Sequence, residues 1–169
     1  ADDDKIEFVI LHNGLDDEHL LAFAKLQSIK SYALTSIKVD CAVFEGFPNA
    51  NWVTAEAWFR CLLADLLPNH QKVLYLDCDT IVRSSLSELF AIDLGTHFAG
   101  VIEDVSKSHK NAGRIALKDG FYFNSGVMYI NLCLWRQVDF FHTLKVMVLE
   151  DCSIGNDQDA LNKACDGRK

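Results

Sequence analysis

The apolar positions of the chain fall into short, largely apolar runs and into segments with helical spacing. Ile6–Leu11 is such a run with β-branched residues, which predicts a buried strand. Asp16 can cap a helix that holds Asp17 and Glu18 in its first turn, where negative charge meets the positive end of the helix dipole. Further strands are predicted at Ile37–Phe44, Val73–Leu76, Phe98–Ile102 and Gly126–Ile130.

The segment Ala55–Leu66 has the clearest helical pattern. Trp58 and Leu62 are among the apolar residues that recur there at 3.6-residue spacing, and Pro68 ends the predicted helix. Later in the chain, Asn131 is predicted to cap a helical turn. Strands that alternate with helices over this length predict a layered α/β domain with a mostly parallel sheet. Such sheets bind ligands at the carboxyl ends of their strands.

Length and composition narrow the classes of protein that fit this pattern. A chain of 169 residues that is 50% hydrophobic can bury one sizeable core, so we expect a single domain over residues 1–169. The formal net charge of -8 argues against a nucleic-acid partner, because such binding depends on Lys and Arg. The cysteines form no CxxC pair, which predicts reduced thiols and no zinc site. Without a signal peptide or an apolar run of about 20 residues, we expect a cytoplasmic chain with no membrane span.

Two acidic residues directly follow the strand predicted at Val73–Leu76. In extended backbone, Asp77 and Asp79 leave the same face of the chain, about 6.6 to 6.8 Å apart. Two like charges repel each other, by about 4 kcal/mol at a separation of 4 Å and an intermediate dielectric constant. A partly buried pair of carboxylates therefore requires a cation or a shared proton. A hard divalent ion, Mn²⁺ or Mg²⁺, that also contacts a diphosphate would satisfy both carboxylates. Taken alone, the motif fits simple turn chemistry equally well.

Three motifs then appear in a fixed order between about residues 52 and 165. They are Leu74–Asp79 followed by Ser85–Phe90, then Tyr122–Val127 followed by Ile130–Leu132, and finally Asn156–Asn162. In this order they resemble the signatures of family 8 retaining glycosyltransferases, which include lipopolysaccharide galactosyltransferases and glycogenin. The resemblance implies the GT-A fold, a Rossmann-like α/β architecture. Ser85 and Glu88 also form a predicted capping box for a short helix behind the first motif.

The resemblance implies a role for residues of each motif. Asp77 and Asp79 would hold the metal ion, and the backbone of Cys78 would line the nucleotide pocket. Arg60 would reach the diphosphate, although a surface helix arginine fits the same pattern. The donor sugar would be contacted by six residues from the later part of the chain: Asp104, Asn124, Ser125, Gly126, Asp157 and Gln158.

The implied reaction moves a galactose or glucose from its UDP-sugar to a hydroxyl of a saccharide or lipopolysaccharide acceptor. Gln158 would lie near the face where a retaining nucleophile is expected, but an amide is a poor nucleophile. We therefore expect front-face attack by the acceptor hydroxyl, with Gln158 or Asp157 stabilising the oxocarbenium-like sugar. Structural alternatives stay open: Asp157 as a helix N-cap, Asp104 as a loop carboxylate, and Asn124–Gly126 as a strand-entry turn.

Two differences from the family pattern leave other functions open. The family's opening Asp-x-Asn and its closing His-Gly and Lys-Pro-Trp motifs have no match, and no histidine has the context of a metal ligand. The resemblance thus implies a chain truncated at both ends. A haloacid-dehalogenase-type phosphatase would use Asp77 as nucleophile and Asp79 as acid/base, and a nucleotidyltransferase or an inactive fragment are further alternatives. The motifs do not indicate an oligomeric state.

Overall fold

The structure is a computed structural model that describes residues 7–29, 31–48, 54–106 and 108–169. The chain folds into two compact units, Ala1–Glu45 and Gly46–Lys169. Ile6, where the first strand was predicted to begin, lies outside the described residues. None of the helices in the described ranges is long and apolar enough to cross a membrane.

The first unit is a strand–helix–strand element. Strands β1 (Glu7–His12) and β2 (Ala33–Lys38) pair in parallel, and helix α1 (Asp17–Leu26) connects them. The side chain of Asp16 accepts from the His19 N–H at 2.9 Å, which confirms the predicted cap. The strand predicted at Ile37–Phe44 is wrong beyond Lys38. Asp40 accepts from the Ala42 N–H at 2.9 Å and turns the chain into a 3-10 segment, Cys41–Phe44.

The second unit is built around a three-stranded sheet of order β3-β5-β4. Its strands are β3 (Lys72–Leu76), β4 (Ala99–Glu103) and β5 (Phe123–Asn131). The expected parallel arrangement is found in β1 and β2, whereas β5 runs antiparallel to both of its neighbours. The reason is that β5 begins opposite the residue at which β4 ends, with Phe123 beside Glu103, so the chain returns along β4.

Helices cover this sheet and complete the second unit. They are α2 (Leu63–Leu66), α3 (Ser87–Ala91), α4 (Ser108–Arg114), α5 (Leu132–Gln137), α6 (Phe140–Glu150) and α7 (Asp157–Ala164). Helix α7 packs against β5 and α6. The core lies between these elements, where Trp135 stacks on Phe140 with ring centroids 3.8 Å apart. The Asn131 side chain accepts from the Leu134 N–H, which confirms the predicted cap of α5.

Two helix predictions in this unit require correction. Residues Ala55–Leu62 form a 3-10 segment that leads into α2, because Trp58 and Cys61 follow Ala55 at three-residue spacing and both are fully buried. The predicted capping box of α3 is also absent. Leu86 is the N-cap and makes no side-chain cap bond, while the Ser85 hydroxyl accepts from the Ser87 N–H at 3.2 Å.

Candidate functional site

The two predicted metal ligands come directly after strand β3. Asp77 still pairs with the sheet, since its N–H donates to the Gly126 carbonyl at 2.8 Å. The chain then turns, with the Thr80 N–H donating to the Asp77 carbonyl at 3.0 Å. Cys78 and Asp79 are both exposed in this turn. The expectation of extended backbone through Asp79 is therefore wrong and the turn alternative is confirmed, because Asp79 lies in what we call the motif turn (Cys78, Asp79 and Thr80).

Arg60 lies at the centre of the site. It is only 7% exposed, so the alternative of a surface arginine is wrong. Its Nη2 lies 3.1 Å from Asp77 Oδ1, and its Nε lies 3.2 Å from Asp157 Oδ2. Its Nη1 donates to the Ser125 carbonyl at 2.6 Å. The guanidinium thus joins the end of β3, strand β5 and helix α7. We call Arg60, Asp77, Ser125 and Asp157 the Arg60 cluster.

The carboxylate of Asp77 is held in a defined orientation. Its Oδ1 accepts from the Tyr75 hydroxyl at 2.8 Å, and the Arg60 guanidinium carbon stands 4.4 Å from the centre of the Tyr75 ring. Burial raises the pKa of Tyr75 well above its usual range, so the hydroxyl remains a donor. The Oδ2 atom lies against Gly126, where an added Cβ would stand 2.5 Å from it. A glycine therefore provides the space that this carboxylate occupies.

Asp157 is the buried partner of Arg60. It is 6% exposed, and burial raises the pKa of its carboxyl group while the Arg60 guanidinium opposes that rise. Helix α7 is capped by the residue before it: Asn156 Oδ1 accepts from the Asp159 N–H at 2.8 Å. The N-cap alternative for Asp157 is therefore wrong. Its carboxylate instead holds Arg60 in place from within the core.

Gln158 and Asp104 lie at the partly exposed edge of the cluster. Gln158 Oε1 accepts from the Ser125 N–H at 3.0 Å, and its Nε2 donates to Asp104 Oδ2 at 3.2 Å. Asp104 follows β4, and its Oδ1 accepts from the Ser106 hydroxyl at 2.7 Å. A line of direct contacts therefore runs from Asp104 through Gln158 and Ser125 to Arg60.

An irregularity in strand pairing exposes this part of β5. Val101 of β4 pairs with Met128, but the next residue, Ile102, pairs with Asn124, so Ser125 and its two successors have no partner on β4. Such a bulge frees backbone donors and redirects side chains. The Ser125 N–H consequently donates to α7. Because Asn124 lies inside β5, the strand-entry turn proposed for Asn124–Gly126 is wrong.

Asn124 and Gly126 flank Ser125 and differ in exposure. Asn124 is exposed, and its Oδ1 accepts from the Gly126 N–H at 2.8 Å. Gly126 is buried beneath the Asp77 carboxylate. The two residues therefore place one polar group at the surface of the site and one small backbone segment inside it.

Most of the predicted site residues come together in this arrangement. The residues linked by direct contacts are Arg60, Asp77, Asp104, Asn124, Ser125, Gly126, Asp157 and Gln158. Cys78 and Asp79 are adjacent along the chain, but neither forms a hydrogen bond or ion pair with the Arg60 cluster in the part of the chain that the structure describes. The site therefore has a connected interior and an exposed turn beside it.

Buried polar residues that the sequence did not single out hold these elements together. Asn162 is fully buried and both accepts from the Phe123 N–H at 2.7 Å and donates to the Phe123 carbonyl at 2.9 Å, which ties α7 to β5. Asp159 is 1% exposed and accepts from the Tyr122 hydroxyl at 2.7 Å. Tyr75 and Tyr122 have the pattern of core aromatic residues, so their hydroxyl contacts left no signal. For Asn162 and Asp159, the available signal was that they are polar residues among apolar neighbours in α7.

The carboxylates of Asp77 and Asp79 suit a hard divalent cation such as Mn²⁺ or Mg²⁺. Over residues 7–29, 31–48, 54–106 and 108–169, no group of three or more His, Cys, Asp or Glu side chains comes together as a metal site. Two carboxylates leave the other coordination positions to diphosphate oxygens and water, which is a common mode of Mg²⁺ binding. The residues therefore fit a cation that binds together with a diphosphate.

Comparison with known sequences agrees with the order of the motifs. The chain matches the model of glycosyl transferase family 8 over residues 1–168. The lipopolysaccharide 1,2-glucosyltransferase of Escherichia coli is 32% identical over 135 residues, which are 78% of this chain and 40% of that enzyme. The probable glycosyl transferase Gly of Streptococcus gordonii is 30% identical over 96% of this chain and 23% of its own length. The chain thus spans less than half the length of these two relatives.

Comparison with solved structures agrees with the fold. The galactosyltransferase LgtC in complex with donor and acceptor sugar analogs superposes with a TM-score of 0.86 and 33% identity, over 98% of this chain and 62% of LgtC. An active-site mutant of LgtC, in which a glutamate replaces a glutamine, superposes with a TM-score of 0.87 and 32% identity, over 98% of this chain and 61% of the mutant. The predicted GT-A fold and the family resemblance are both confirmed.

Proposed function

This chain belongs to glycosyltransferase family 8, and we propose that it moves a hexose from a UDP-sugar to a hydroxyl of a saccharide or lipopolysaccharide acceptor with retention of configuration. The similar E. coli protein is a lipopolysaccharide glucosyltransferase, and LgtC has been solved with donor and acceptor sugar analogs. Galactose and glucose are therefore the donor sugars to test first. The family model matches residues of both compact units, so we propose that both belong to one transferase domain.

The observation that carries this proposal is the Arg60 cluster. Through Arg60, the acid that begins the Asp-x-Asp motif is joined to Ser125 of the second motif and to Asp157 of the third. Arg60 and Ser125, which lie 65 positions apart in sequence, form one buried hydrogen bond. A phosphate-binding end and a sugar-binding end would thus form one continuous site.

In the proposed site, Asp77 and Asp79 hold a divalent cation, Mn²⁺ or Mg²⁺, together with the donor diphosphate. When bound, this cation neutralises charge that develops on the leaving diphosphate. Asp77 is preoriented for this role, because Tyr75 and Arg60 fix its Oδ1. Asp79 is exposed and can turn toward an incoming ligand without breaking a hydrogen bond to the Arg60 cluster. Cys78 would line the nucleotide side of the same turn.

The hexose would lie against the partly exposed edge formed by Asp104, Asn124 and Gln158. Their carboxylate and amide groups can accept from and donate to sugar hydroxyls. Front-face transfer forms a bond from the acceptor oxygen to the anomeric carbon as the bond to the diphosphate breaks, and the acceptor proton passes to the departing oxygen. Buried Asp157 and Arg60 would act by holding this edge in place. The LgtC mutant shows that a glutamine belongs to the active site of that enzyme, and Gln158 is its proposed counterpart.

Family membership argues against the phosphatase alternative. The inactive-fragment alternative makes a different prediction, because such a chain would bind no nucleotide.

Calorimetric titration of the chain with UDP and Mn²⁺, beside a phosphatase assay, tests the proposal. We expect UDP binding that requires Mn²⁺ and is lost in Asp79→Asn, with no release of phosphate. Asp93→Asn is the matched control, because Asp93 is also exposed and lies outside the site. Phosphate release by the wild-type chain, or UDP affinity that is equal with and without metal, would contradict it. Transfer from UDP-galactose and UDP-glucose to a saccharide or lipopolysaccharide acceptor then identifies the donor sugar.

A further inference from the structure

The chain between strands β4 and β5 contains a small element with a core of its own. We call residues 108–122, which include helix α4, the α4 segment. Three of its side chains, Ala112, Ile115 and Tyr122, are at most 2% exposed and form this core. The Tyr122 carbonyl accepts from the Asp104 N–H at 2.9 Å, which ties the end of the segment back to the end of β4. The segment is therefore compact, and its contacts with other elements set its position.

A buried carboxylate of helix α7 attaches the α4 segment at two points. Asp159 is 1% exposed, and its Oδ1 accepts from the Tyr122 hydroxyl at 2.7 Å and from Arg114 Nη2 at 2.5 Å. A charge buried this deeply requires a partner of opposite sign, which Arg114 supplies. Arg114 Nη1 also donates to the Ser153 carbonyl at 2.5 Å. The guanidinium therefore holds both α7 and the chain that leads into it.

Asp159 lies in the first turn of α7, which also belongs to the Arg60 cluster. Its Oδ2 accepts from the Gly155 N–H at 2.9 Å, so the same carboxylate fixes the chain just before the helix. Two positions earlier is Asp157, whose Oδ2 lies 3.2 Å from Arg60 Nε. Two arginines thus fix the start of α7. Arg60 does so from the buried side, and Arg114, whose side chain is 40% exposed, does so from the outer side.

From this geometry we infer that Arg114 is a positioning residue for the proposed transfer reaction, and that it acts through Asp159 to set where α7 begins beside β5. The assignment rests on the proposed transferase function. The first turn of α7 is joined to the β5 bulge, because the Ser125 N–H donates to the Gln158 side chain at 3.0 Å. A shift of α7 therefore moves the contact with the bulge, although Arg114 itself lies outside the Arg60 cluster.

Amide hydrogen exchange measures this positioning without turnover. Arg114→Met removes the guanidinium and keeps a long side chain, so the Ser125 N–H should exchange about tenfold faster as the start of α7 loosens. The Met128 N–H should keep its rate, because Met128 lies where β5 pairs with both neighbouring strands. Lys110→Met is the matched control, since Lys110 is an exposed basic residue one turn earlier on α4. It should change neither rate.

Kinetics distinguish positioning from simple stabilisation. At a temperature where every variant is folded by circular dichroism, kcat for transfer should fall about tenfold in Arg114→Met. The Kd for UDP with Mn²⁺ should stay within about twofold of wild type, because Tyr75 and Arg60 still hold Asp77. Arg114→Lys keeps the charge but cannot form both contacts with one planar fork, so it should restore part of the lost kcat.

Three results would overturn the assignment while leaving the transferase function intact. One is unchanged Ser125 exchange and kcat in Arg114→Met. The second is equal acceleration of exchange at Ser125 and Met128, which would make the ion pair a source of stability alone. The third is a double variant in which Arg114→Met adds its full effect on Ser125 exchange to that of Asp159→Asn, because a residue that acts through Asp159 should add little. If the wild-type chain neither binds UDP nor transfers a sugar, the proposed function fails and the role in transfer fails with it, whereas the exchange rates still decide whether Arg114 positions α7.

Discussion

The two acids of the Asp-x-Asp motif lie two positions apart and in very different surroundings. Asp77 belongs to the Arg60 cluster, where a 7% exposed guanidinium and the Tyr75 hydroxyl hold its carboxylate. Asp79 belongs to the motif turn and is exposed. Arg60 and Asp157 are paired without a ligand, because both charges are buried and must be paired within the protein. The turn needs no such pairing, since water solvates its carboxylate. One motif thus combines a preorganised carboxylate with an adaptable one.

Removing the centre of the cluster should produce the largest effect. Arg60→Ala leaves Asp157 buried without its cationic partner, and loss of one member of a buried ion pair costs about 3 to 5 kcal/mol of folding free energy. Arg83→Ala, which removes an exposed arginine just beyond the motif turn, should cost less than about 0.5 kcal/mol. Urea unfolding followed by circular dichroism measures both.

If Arg60→Ala does not fold well enough to measure, Arg60→Lys provides the comparison. Lysine keeps the charge but cannot bridge Asp77, Ser125 and Asp157 with a planar fork, so an intermediate loss is expected. Equal stability of the Arg60→Ala and Arg83→Ala variants would show that the cluster does not hold the second unit together.

Filling the space beneath Asp77 should have the next largest effect. In Gly126→Ala the new methyl group would stand 2.5 Å from Asp77 Oδ2, so the carboxylate or β5 must shift, at a cost of about 1 to 3 kcal/mol. Gly100→Ala is the matched control in the same sheet, because its nearest atom is a Leu94 methyl at 3.4 Å. Thermal unfolding and UDP–Mn²⁺ titration should both separate the two variants, and indistinguishable melting curves would contradict the proposed packing.

Neutralising Asp77 and Asp79 one at a time should separate the effect on folding stability from the effect on UDP binding. Asp77→Asn removes the charge that Arg60 and Tyr75 contact and should cost about 1 to 2 kcal/mol. Asp79→Asn should change stability by less than about 0.5 kcal/mol, because the side chain is exposed. Both should weaken Mn²⁺-dependent UDP binding. A stability loss as large for Asp79→Asn as for Asp77→Asn would remove the distinction between cluster and turn.

The sequence predicts elements well where the signal is local. The Asp16 cap of α1, the Asn131 cap of α5 and the strands that lead to Asp77 and Asp104 follow from nearest neighbours along the chain. The conformation of residues 55–62 is harder to predict, because three-residue and 3.6-residue spacings diverge little over two turns. An α-helix was therefore expected where a 3-10 segment forms. The antiparallel direction of β5 depends on where the chain returns, which periodicity does not report.

For the site too, the sequence predicts local features better than long-range contacts. The family resemblance identified Arg60, Ser125 and Gln158 as candidates, but their contacts join residues more than 30 positions apart and leave no periodic trace. Burial of Arg60 could not be predicted, because an arginine on a helical segment is usually exposed. The sequence left the motif turn as one of two alternatives, because the same two acids are compatible with extended backbone and with a turn.

Cysteine reactivity distinguishes the two regions without any substitution. Cys61 adjoins Arg60 and is buried, and burial raises its thiol pKa well above the usual range, while burial raises the pKa of Cys165 to about 12. Cys78 in the motif turn and Cys152 are exposed. A thiol reagent should therefore label Cys78 and Cys152 rapidly in the native chain and reach the two buried thiols only on unfolding. Mass spectrometry of the labelled peptides gives each rate.

The most direct measurement is the labelling rate of Cys78 in the presence of UDP and Mn²⁺. If the acids on either side of it clamp a cation against a diphosphate, labelling of Cys78 should slow about tenfold at a ligand concentration roughly ten times the Kd, while exposed Cys152 keeps its rate. Mn²⁺ alone or UDP alone should protect less than the two together. An unchanged Cys78 rate at saturating UDP and Mn²⁺ would contradict the central claim that this turn closes on a nucleotide diphosphate.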